Sequence, residues 1–391
     1  MPALLLRKGK EIRILSGHPW VYASEVEREK GSFEDGDVVD VRDHSGRFLG
    51  RGYANRRSEI VARILTDRKE PVDEALFRAR IEAALTHRKA VVHDTDAYRV
   101  IFSEGDLMPG LIVDRYGAYL VVQFLTLGME KHKDTIVRCL GELVRPEGIY
   151  ERSDVTVRQY EGLPPSSGFL QGTFETQIPV HEHSVGFVAD IAGGQKTGLF
   201  LDQRENRYAI RELISGARVL DCFCYGGGFG IHAARFGASE VVGIDQSEEA
   251  VAAANRNAEL NGVSEKCRFE VGNAFDRLSA YDEAHNSPFD VAILDPPAFT
   301  RSSDAVGRAI KGYKEINLRA MKILVPGGYL VTCSCSYHIS ETTFRNVVLE
   351  AARDARRAIR LVESRTQARD HPILLGARET QYLKCLILQV I

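Results

Sequence analysis

The residues best placed to do chemistry in this sequence lie in three short stretches, each following a run of apolar residues. The first is Asp221–Gly230 (DCFCYGGGFG), between the strand-like RVLDCFCY and a helix spanning His232–Arg235 in GIHAARFG. Glycines at a strand-to-helix turn let the backbone approach a ligand closely and aim free N–H groups at it. The second is Asp295-Pro296-Pro297-Ala298-Phe299. Two prolines after a strand impose a rigid, extended turn and remove amide donors. Such a turn suits holding a planar base, with the Asp295 carboxylate available to a ring nitrogen; the bland alternative is a strand terminator. The third is Thr332-Cys333-Ser334-Cys335-Ser336. Carbon-5 of a pyrimidine is too weak a nucleophile to attack a sulfonium methyl unaided, but adding a thiolate to carbon-6 makes it an enamine-like carbon that can. A free cysteine is more often buried and inert. Cys335 lies nearer the strand end and is the reactive candidate; Cys333 reads as core.

The glycine-rich turn alone leaves the cofactor open. Gly228-x-Gly230-x-x-Ala233 fits a dinucleotide fingerprint, so an NAD enzyme is a rival to one using S-adenosylmethionine. Asp245, ending VVGID, suits the paired hydroxyls of a ribose, which both cofactors carry. Asp221 favours S-adenosylmethionine, because a carboxylate beside the loop can serve the methionine ammonium. Asn273, after the third strand, is placed to meet the adenine amino group. Polar residues at successive strand ends follow the rule that open α/β sheets bind ligands beyond the carboxyl ends of their strands. The expected cofactor set around the loop is Asp221, Phe223, Tyr225, Gly226, Gly227, Asp245, Gln246, Asn273, Ala274 and Asp295.

The elements that must position these residues follow from hydrophobic rhythm. From about residue 186 onward, strand-like and helix-like runs alternate, the signature of a doubly wound α/β sheet of the Rossmann-like, class I methyltransferase kind. Its later strands are CRFEVGNAF, FDVAILDPP, GGYLVTCSCS and YLKCLILQV. Two segments precede it. Residues 1–70 carry short alternating runs broken by glycine, as in a small β-barrel. After Glu70-Pro71, Val72–Val92 has helical spacing, and residues 73–185 read as a central α+β domain. There GLIVDRYGAYLVVQF predicts a hairpin connected through Asp114–Ala118, Met129–Leu143 a helix, and Gly148–Arg152 a strand. His181 and His183 share one face of a predicted strand, VHEHSVGF; with no third ligand apparent, exposed strand histidines are the better reading than a metal site.

Composition narrows the class. A chain of 391 residues exceeds what one core supports, so two or three domains are expected. The first 15 residues hold only a four-residue apolar run before Arg7 and Lys8, and no stretch resembles a membrane span, so a cytoplasmic protein is expected. A net charge of −3, with 14 Lys/Arg against 12 Asp/Glu in residues 1–70, speaks against coating nucleic acid by bulk charge but not against a local basic face. Seven cysteines without a secretory signal argue against a disulfide framework, and the C-x-C spacing of Cys222/Cys224 and Cys333/Cys335 is not that of a zinc knuckle, so no metal is expected.

Taken together, GHPWVY, FLGRGY, EGDLMPGLIVDRYG, QKTGLFLDQRENR, LDPPAF, SCSYH, the DHP of Asp370–Pro372 and the YLK of Tyr382–Lys384 are far more specific than any glycine-rich loop. Across its whole length the chain resembles the ribosomal RNA large-subunit methyltransferases that make 5-methylcytosine in 23S rRNA. The resemblance implies an N-terminal PUA domain (an RNA-binding barrel), a central α/β domain and a catalytic domain using S-adenosylmethionine. It implies Cys335 as nucleophile, Asp295 as the acid that stabilises the cytosine, and Lys196, Gln203 and Arg204 in a lead-in that closes over the cofactor. The implied partner is ribosomal RNA, naked or in a large-subunit precursor, with no membrane and with a homodimer left open. Two departures stand out: Ala298 occupies the place where a different RNA cytosine methyltransferase family has a second cysteine, and Phe223 and Tyr225 stand where many methyltransferases show glycines. The rivals are methylation of a guanine nitrogen, which needs no thiol, and an RNA-binding assembly factor with a vestigial catalytic fold.

Overall fold

A computed structural model describes residues 1–284, 288–300 and 303–391. The short alternating runs at the N-terminus form one six-stranded sheet. Its strands are β1 (Ala3–Leu6), β2 (Trp20–Val21), β3 (Val26–Lys30), β4 (Val38–Arg42), β5 (Phe48–Ala54) and β6 (Ala62–Thr66), in the order β2-β6-β5-β4-β1-β3. The second glycine in FLGRGY is required by close approach: a Cβ at Gly52 would sit 1.8 Å from the Arg63 carbonyl oxygen on β6.

The segment that follows opens with α1 (Glu74–Val91), whose first turn is capped by the Asp73 carboxylate accepting from the Ala75 and Leu76 amides. Phe77, Ile81 and Ala84 line its buried face. It precedes a five-stranded sheet of β7 (Ala97–Phe102), β8 (Leu111–Tyr116), β9 (Tyr119–Phe124), β10 (Gly148–Ser153) and β11 (Ser166–Gln171). The β8–β9 connection is tighter than expected, because both strands pair up to Tyr116 and Tyr119 and leave only Gly117 and Ala118 to turn. Asp114 is therefore not a loop residue; it is buried in β8, accepting from Arg99 at 2.8 Å through each oxygen. The expected helix over Met129–Leu143 is two helices, α2 (Leu127–Lys131) and α3 (Lys133–Val144). They break at His132, whose φ of −101° leaves the helical range while its ring packs on Phe77 at 4.9 Å.

VHEHSVGF is not one strand but a hairpin, β12 (Gln177–Glu182) and β13 (Val185–Asp190). His183 and Ser184 turn it with φ of 48° and 65°, the signature of a tight primed turn. His181 is exposed as expected, whereas His183 is half-buried and stacks on Tyr208 at 4.2 Å.

The remaining strands form a seven-stranded sheet: β14 (Arg218–Cys222), β15 (Glu240–Asp245), β16 (Cys267–Val271), β17 (Phe289–Leu294), β18 (Leu324–Ser334), β19 (Ile359–Arg365) and β20 (Lys384–Val390). The order is β16-β15-β14-β17-β18-β20-β19, parallel except for β20, which runs antiparallel to both its neighbours. β14 lies between β15 and β17, so the strand order reverses there and opens a crevice at the carboxyl ends. Helices α4 (Arg204–Ala209), α5 (Gly228–Arg235), α6 (Glu248–Leu260), α7 (Ala274–Glu283), α8 (Val306–Ile323) and α9 (Glu341–Asp354) accompany the sheet. Leu220, Ala292, Leu294, Tyr313, Ile316, Phe344 and Leu386 belong to one buried core.

Packing divides the chain into two compact units. One holds Met1–Val180, Ala189–Leu201 and Arg369–Thr380; the other holds His181–Val188, Asp202–Ala368 and Gln381–Ile391. Both N-terminal sheets lie in the first, where Tyr53 of β5 joins the core of the five-stranded sheet and donates to the Pro109 carbonyl at 2.6 Å. Among the described residues no helix is long and apolar enough to cross a membrane.

Candidate active site

The turn after β14 is built by backbone conformation. Phe223, Tyr225 and Gly227 have φ of 63°, 47° and 80°, so alternate residues adopt the left-handed region that side chains other than glycine rarely accept. This explains the departure seen in the sequence: the glycine-type backbone is kept without the glycines, at a cost of order 1 kcal/mol or more per residue. Two carboxylates stabilise the loop. Asp221 accepts the Gly230 amide at 2.8 Å, and Asp245 accepts the amides of Tyr225 at 2.9 Å and Ser247 at 3.0 Å.

Asp221 is 1% exposed, and its second oxygen has no hydrogen-bond partner among the described residues. Burial, with the nearby Asp295 and Asp245 charges as smaller causes, pushes its carboxyl up to about 8. A converging group of carboxylates with one unsatisfied buried oxygen suits a cationic ligand. S-adenosylmethionine, with an ammonium and a sulfonium, fits that field, and Asp221, Asp245 and the backbone of Phe223–Gly227 are the residues that would hold it.

The other predicted residues are distributed unevenly. Gly226 and Gly227 are buried in the turn, and Gln246 is exposed just beyond β15. Asn273 is exposed and already works as the N-cap of α7, accepting the Phe275 amide at 2.9 Å; Ala274 is buried behind it. Gln203 is brought to the strand-end group, donating to Asp295 at 2.8 Å while its own oxygen accepts from Asn206 at 2.7 Å. Arg204 is buried on α4. Lys196 falls in the other compact unit, where its ammonium lies 4.5 Å from the Phe200 ring centroid.

At the carboxyl end of the sheet the ends of the paired strands β17 and β18 meet. The Cys335 Sγ donates to the Pro296 carbonyl at 3.9 Å, which puts thiol and Asp295-Pro296 turn side by side. Cys335 is half-buried, whereas Cys333 is fully buried opposite Cys385 on β20. Contact with Cys385, and then burial, hold the Cys333 thiol well above its ordinary range, as expected of a core cysteine.

Several contributors escape sequence reasoning. Beside the expected Phe223 stand Phe275, in the first turn of α7, and Phe299, in the turn after β17; the three ring centroids lie 5.8–6.3 Å apart, forming an aromatic cluster at the strand ends. Glu182 is buried and accepts both guanidinium arms of Arg207 at 2.7 Å. Beside it His232, which bonds the Gly228 carbonyl at 2.8 Å, is pushed down to about 4 by burial and stays neutral. Alternation alone could have flagged Glu182 as an inward-facing acid; nothing in the sequence pairs it with Arg207. Among the described residues no group of histidine, cysteine and carboxylate side chains could hold a metal ion.

Comparison with known proteins agrees with this architecture. The model of a PUA-like domain matches residues 4–67, and that of an S-adenosylmethionine-dependent methyltransferase matches residues 117–387. A ribosomal RNA large subunit methyltransferase I from Aeromonas hydrophila is 41% identical over 393 residues, covering 99% of each chain. One from Klebsiella pneumoniae (strain 342) is 39% identical over 388 residues, covering 98% of this chain and 97% of that protein. Two solved chains described as methyltransferases share the fold over the full length of both partners at 21% identity: one from Streptococcus mutans with a TM-score of 0.85, and one complexed with SAH with a TM-score of 0.87. With a family model over most of its length and full-length relatives near 40% identity, the chain belongs to the S-adenosylmethionine-dependent methyltransferases, in the ribosomal RNA large subunit methyltransferase I family.

Proposed function

We propose that the protein methylates carbon-5 of a cytosine in 23S ribosomal RNA through an adduct with Cys335. The observation that carries this reading is the contact of Cys335 with the Asp295-Pro296 turn, with Asp295 held by Gln203. A target base must leave its stack to reach such a crevice. Cys335, as thiolate, adds to carbon-6, while Asp295 stabilises the ring at N3 and electron density moves to carbon-5. S-adenosylmethionine supplies the electrophilic methyl. A base then removes the carbon-5 proton, the carbon–sulfur bond breaks, and Cys335 leaves as thiolate. Ala298 offers no second thiol on the Asp295 turn, so that base is not a cysteine there.

The large-subunit RNA substrate follows from the relatives, and the N-terminal PUA-like sheet is the part assigned to RNA. As functional domains we assign residues 1–70 to RNA binding, 73–185 to the central segment and 186–391 to methyl transfer. Cytoplasmic residence accords with such a substrate. The test is nucleoside analysis of 23S rRNA treated with enzyme and labelled S-adenosylmethionine. Label in 5-methylcytidine is the expected result. Label in a methylguanosine would replace the cytosine reading with the nitrogen-methylating one. No label, together with no S-adenosylmethionine binding, would favour an assembly factor.

A further inference from the structure

A thiol in this position faces an unfavourable field. Cys335 lies against the carbonyl of Pro296, the residue after Asp295, and a carbonyl oxygen facing the sulfur disfavours a thiolate. From α8, the Tyr313 phenol bonds the Ser336 hydroxyl at 2.9 Å; burial raises it first, and the Cys335 charge contributes, so it brings no positive charge. Cys333 on the same strand is a buried neutral thiol. Among the described residues a cation reaches this turn from β20. Its first residue, Lys384, is the register partner of Ser334, the last residue of β18, so the antiparallel ladder ends beside Cys335. Lys384 is 7% exposed, and its ammonium donates to the carbonyls of Ser336 and Tyr382, both at 2.8 Å. Tyr382 in turn donates its hydroxyl to Asp202 at 2.6 Å, tying the start of β20 to the chain entering α4.

A buried lysine that holds backbone carbonyls could be a fastener and nothing more, and alanine-like trimming would not separate that role from an electrostatic one. Two observations favour the second. The carbonyl it grips belongs to the residue after Cys335, so the ammonium is held at the turn that carries the sulfur. Burial also brings Lys384 down to about 8, against which the Cys335 charge acts in the raising direction. The attraction is reciprocal: a group whose charge supports an ammonium has its own anion supported by it.

We propose that Lys384 is the positioning residue that activates Cys335, its ammonium sustaining the thiolate and its two carbonyl bonds fixing the turn on which the sulfur sits. In the activating step the thiol proton passes to solvent and the sulfur keeps the electron pair, so no other reactant is needed. The inference rests on Cys335 being the nucleophile, yet its test requires neither RNA nor methyl transfer.

The probe is iodoacetamide, with alkylation at Cys335 followed by peptide mass mapping from pH 6 to 10 on the full chain. In Lys384→Met the Cys335 rate at pH 7 should fall about tenfold, the thiolate fraction lost with one pKa unit. In Lys384→Arg, which keeps the charge, it should stay within about threefold of wild type. A lysine that only fastens the turn would leave the pH profile in place, and unchanged alkylation in a Lys384→Met protein that still binds S-adenosylhomocysteine overturns the proposal. Should that variant fail to bind, Lys384→Arg is compared with Lys384→Gln: a faster Arg protein supports the role, and equal rates overturn it. If the profile shifts as expected but 5-fluorocytosine RNA forms no adduct with wild type, the nucleophile reading fails while the Lys384–Cys335 coupling stands.

Discussion

The glycine-rich turn proposed for the cofactor and the edge proposed for catalysis lie at the same end of one sheet but are built from different materials. The turn after β14 relies on backbone: positive φ at Phe223, Tyr225 and Gly227, and carboxylates spent on amide hydrogens. The edge formed by β17 and β18 relies on side chains meeting across strands, Gln203 on Asp295, Cys335 on Pro296 and Lys384 on Ser336. A site built from backbone tolerates many side chains, which is why Phe and Tyr can replace glycine there. One built from side chains tolerates few. Substitutions should therefore damage function at the edge much more than at the turn, except where a turn carboxylate faces the ligand.

The largest effect expected is at Cys335. Cys335→Ala should lower methylation by roughly 10³-fold or more, as removal of a covalent nucleophile does, while S-adenosylhomocysteine affinity measured by calorimetry stays unchanged. A variant with residual activity above about a tenth of wild type would remove thiol chemistry from the account.

Asp221→Asn should come next and act on the other side of the comparison. Losing a charged hydrogen-bond partner for the ligand costs about 1.5–3 kcal/mol, or roughly 10–100-fold in affinity. The effect on ligand-free stability should have the opposite sign. The carboxyl is raised from 3.8 to about 8 in the folded state, so its contribution favours folding fully below pH 4 and is lost as pH rises through 8. Asp221→Asn should accordingly raise the melting temperature at pH 9 and change it little at pH 4. A melting temperature that falls at pH 9 would mean that the carboxylate is already well compensated. The same shift predicts proton release when a cationic ligand binds wild type at pH 7, read as a dependence of binding enthalpy on the buffer's ionisation enthalpy.

Gln203→Leu tests the edge without touching the thiol. It leaves Asp295 without one donor and should reduce kcat about tenfold, in line with losses seen when the partner that orients a reacting group is removed, with cofactor affinity retained. Equal losses in kcat and affinity would place Gln203 in cofactor binding instead.

Tyr225→Gly should do least. Relief of a positive φ worth about 1 kcal/mol is offset by the extra freedom glycine brings to the unfolded chain. Thermal stability and S-adenosylhomocysteine affinity should stay near wild type, within about threefold for the latter. A large loss of affinity would show that the phenol ring, rather than the backbone, makes the site.

The same contrast governs what could be read from the sequence. Alternating runs announced the doubly wound sheet because each parallel strand is buried on both faces and each helix on one. The pattern does not reveal β19: IRLVESR is a largely exposed, charge-bearing edge strand with little of that alternation. The β8–β9 turn is narrower than its sequence suggests, because Asp114 and Arg115 have the character of loop residues; burial of Asp114 depends on Arg99, fifteen positions away. Strand-end position is legible for Asp221, Asp245, Asp295 and Cys335, each of which lies at or just beyond the carboxyl end of its predicted strand. Pairings between distant segments were not, since Glu182 with Arg207, or Lys384 with the Cys335 turn, follow from strand order and leave no local pattern. Asn273 shows the converse limit, because a polar residue at the right strand end also makes a good helix cap.

In the proposed reaction Cys335 bonds to the target base at this edge. The most direct measurement is the mass of the protein after incubation with S-adenosylmethionine and 23S rRNA fragments carrying 5-fluorocytosine, whose fluorine cannot leave as a cation and so arrests the reaction at the methylated adduct. A covalent protein–RNA species that maps to the Cys335 peptide and disappears in Cys335→Ala is the expected result. An adduct that persists in that variant, or RNA methylated at cytosine carbon-5 without any Cys335 adduct, would contradict it.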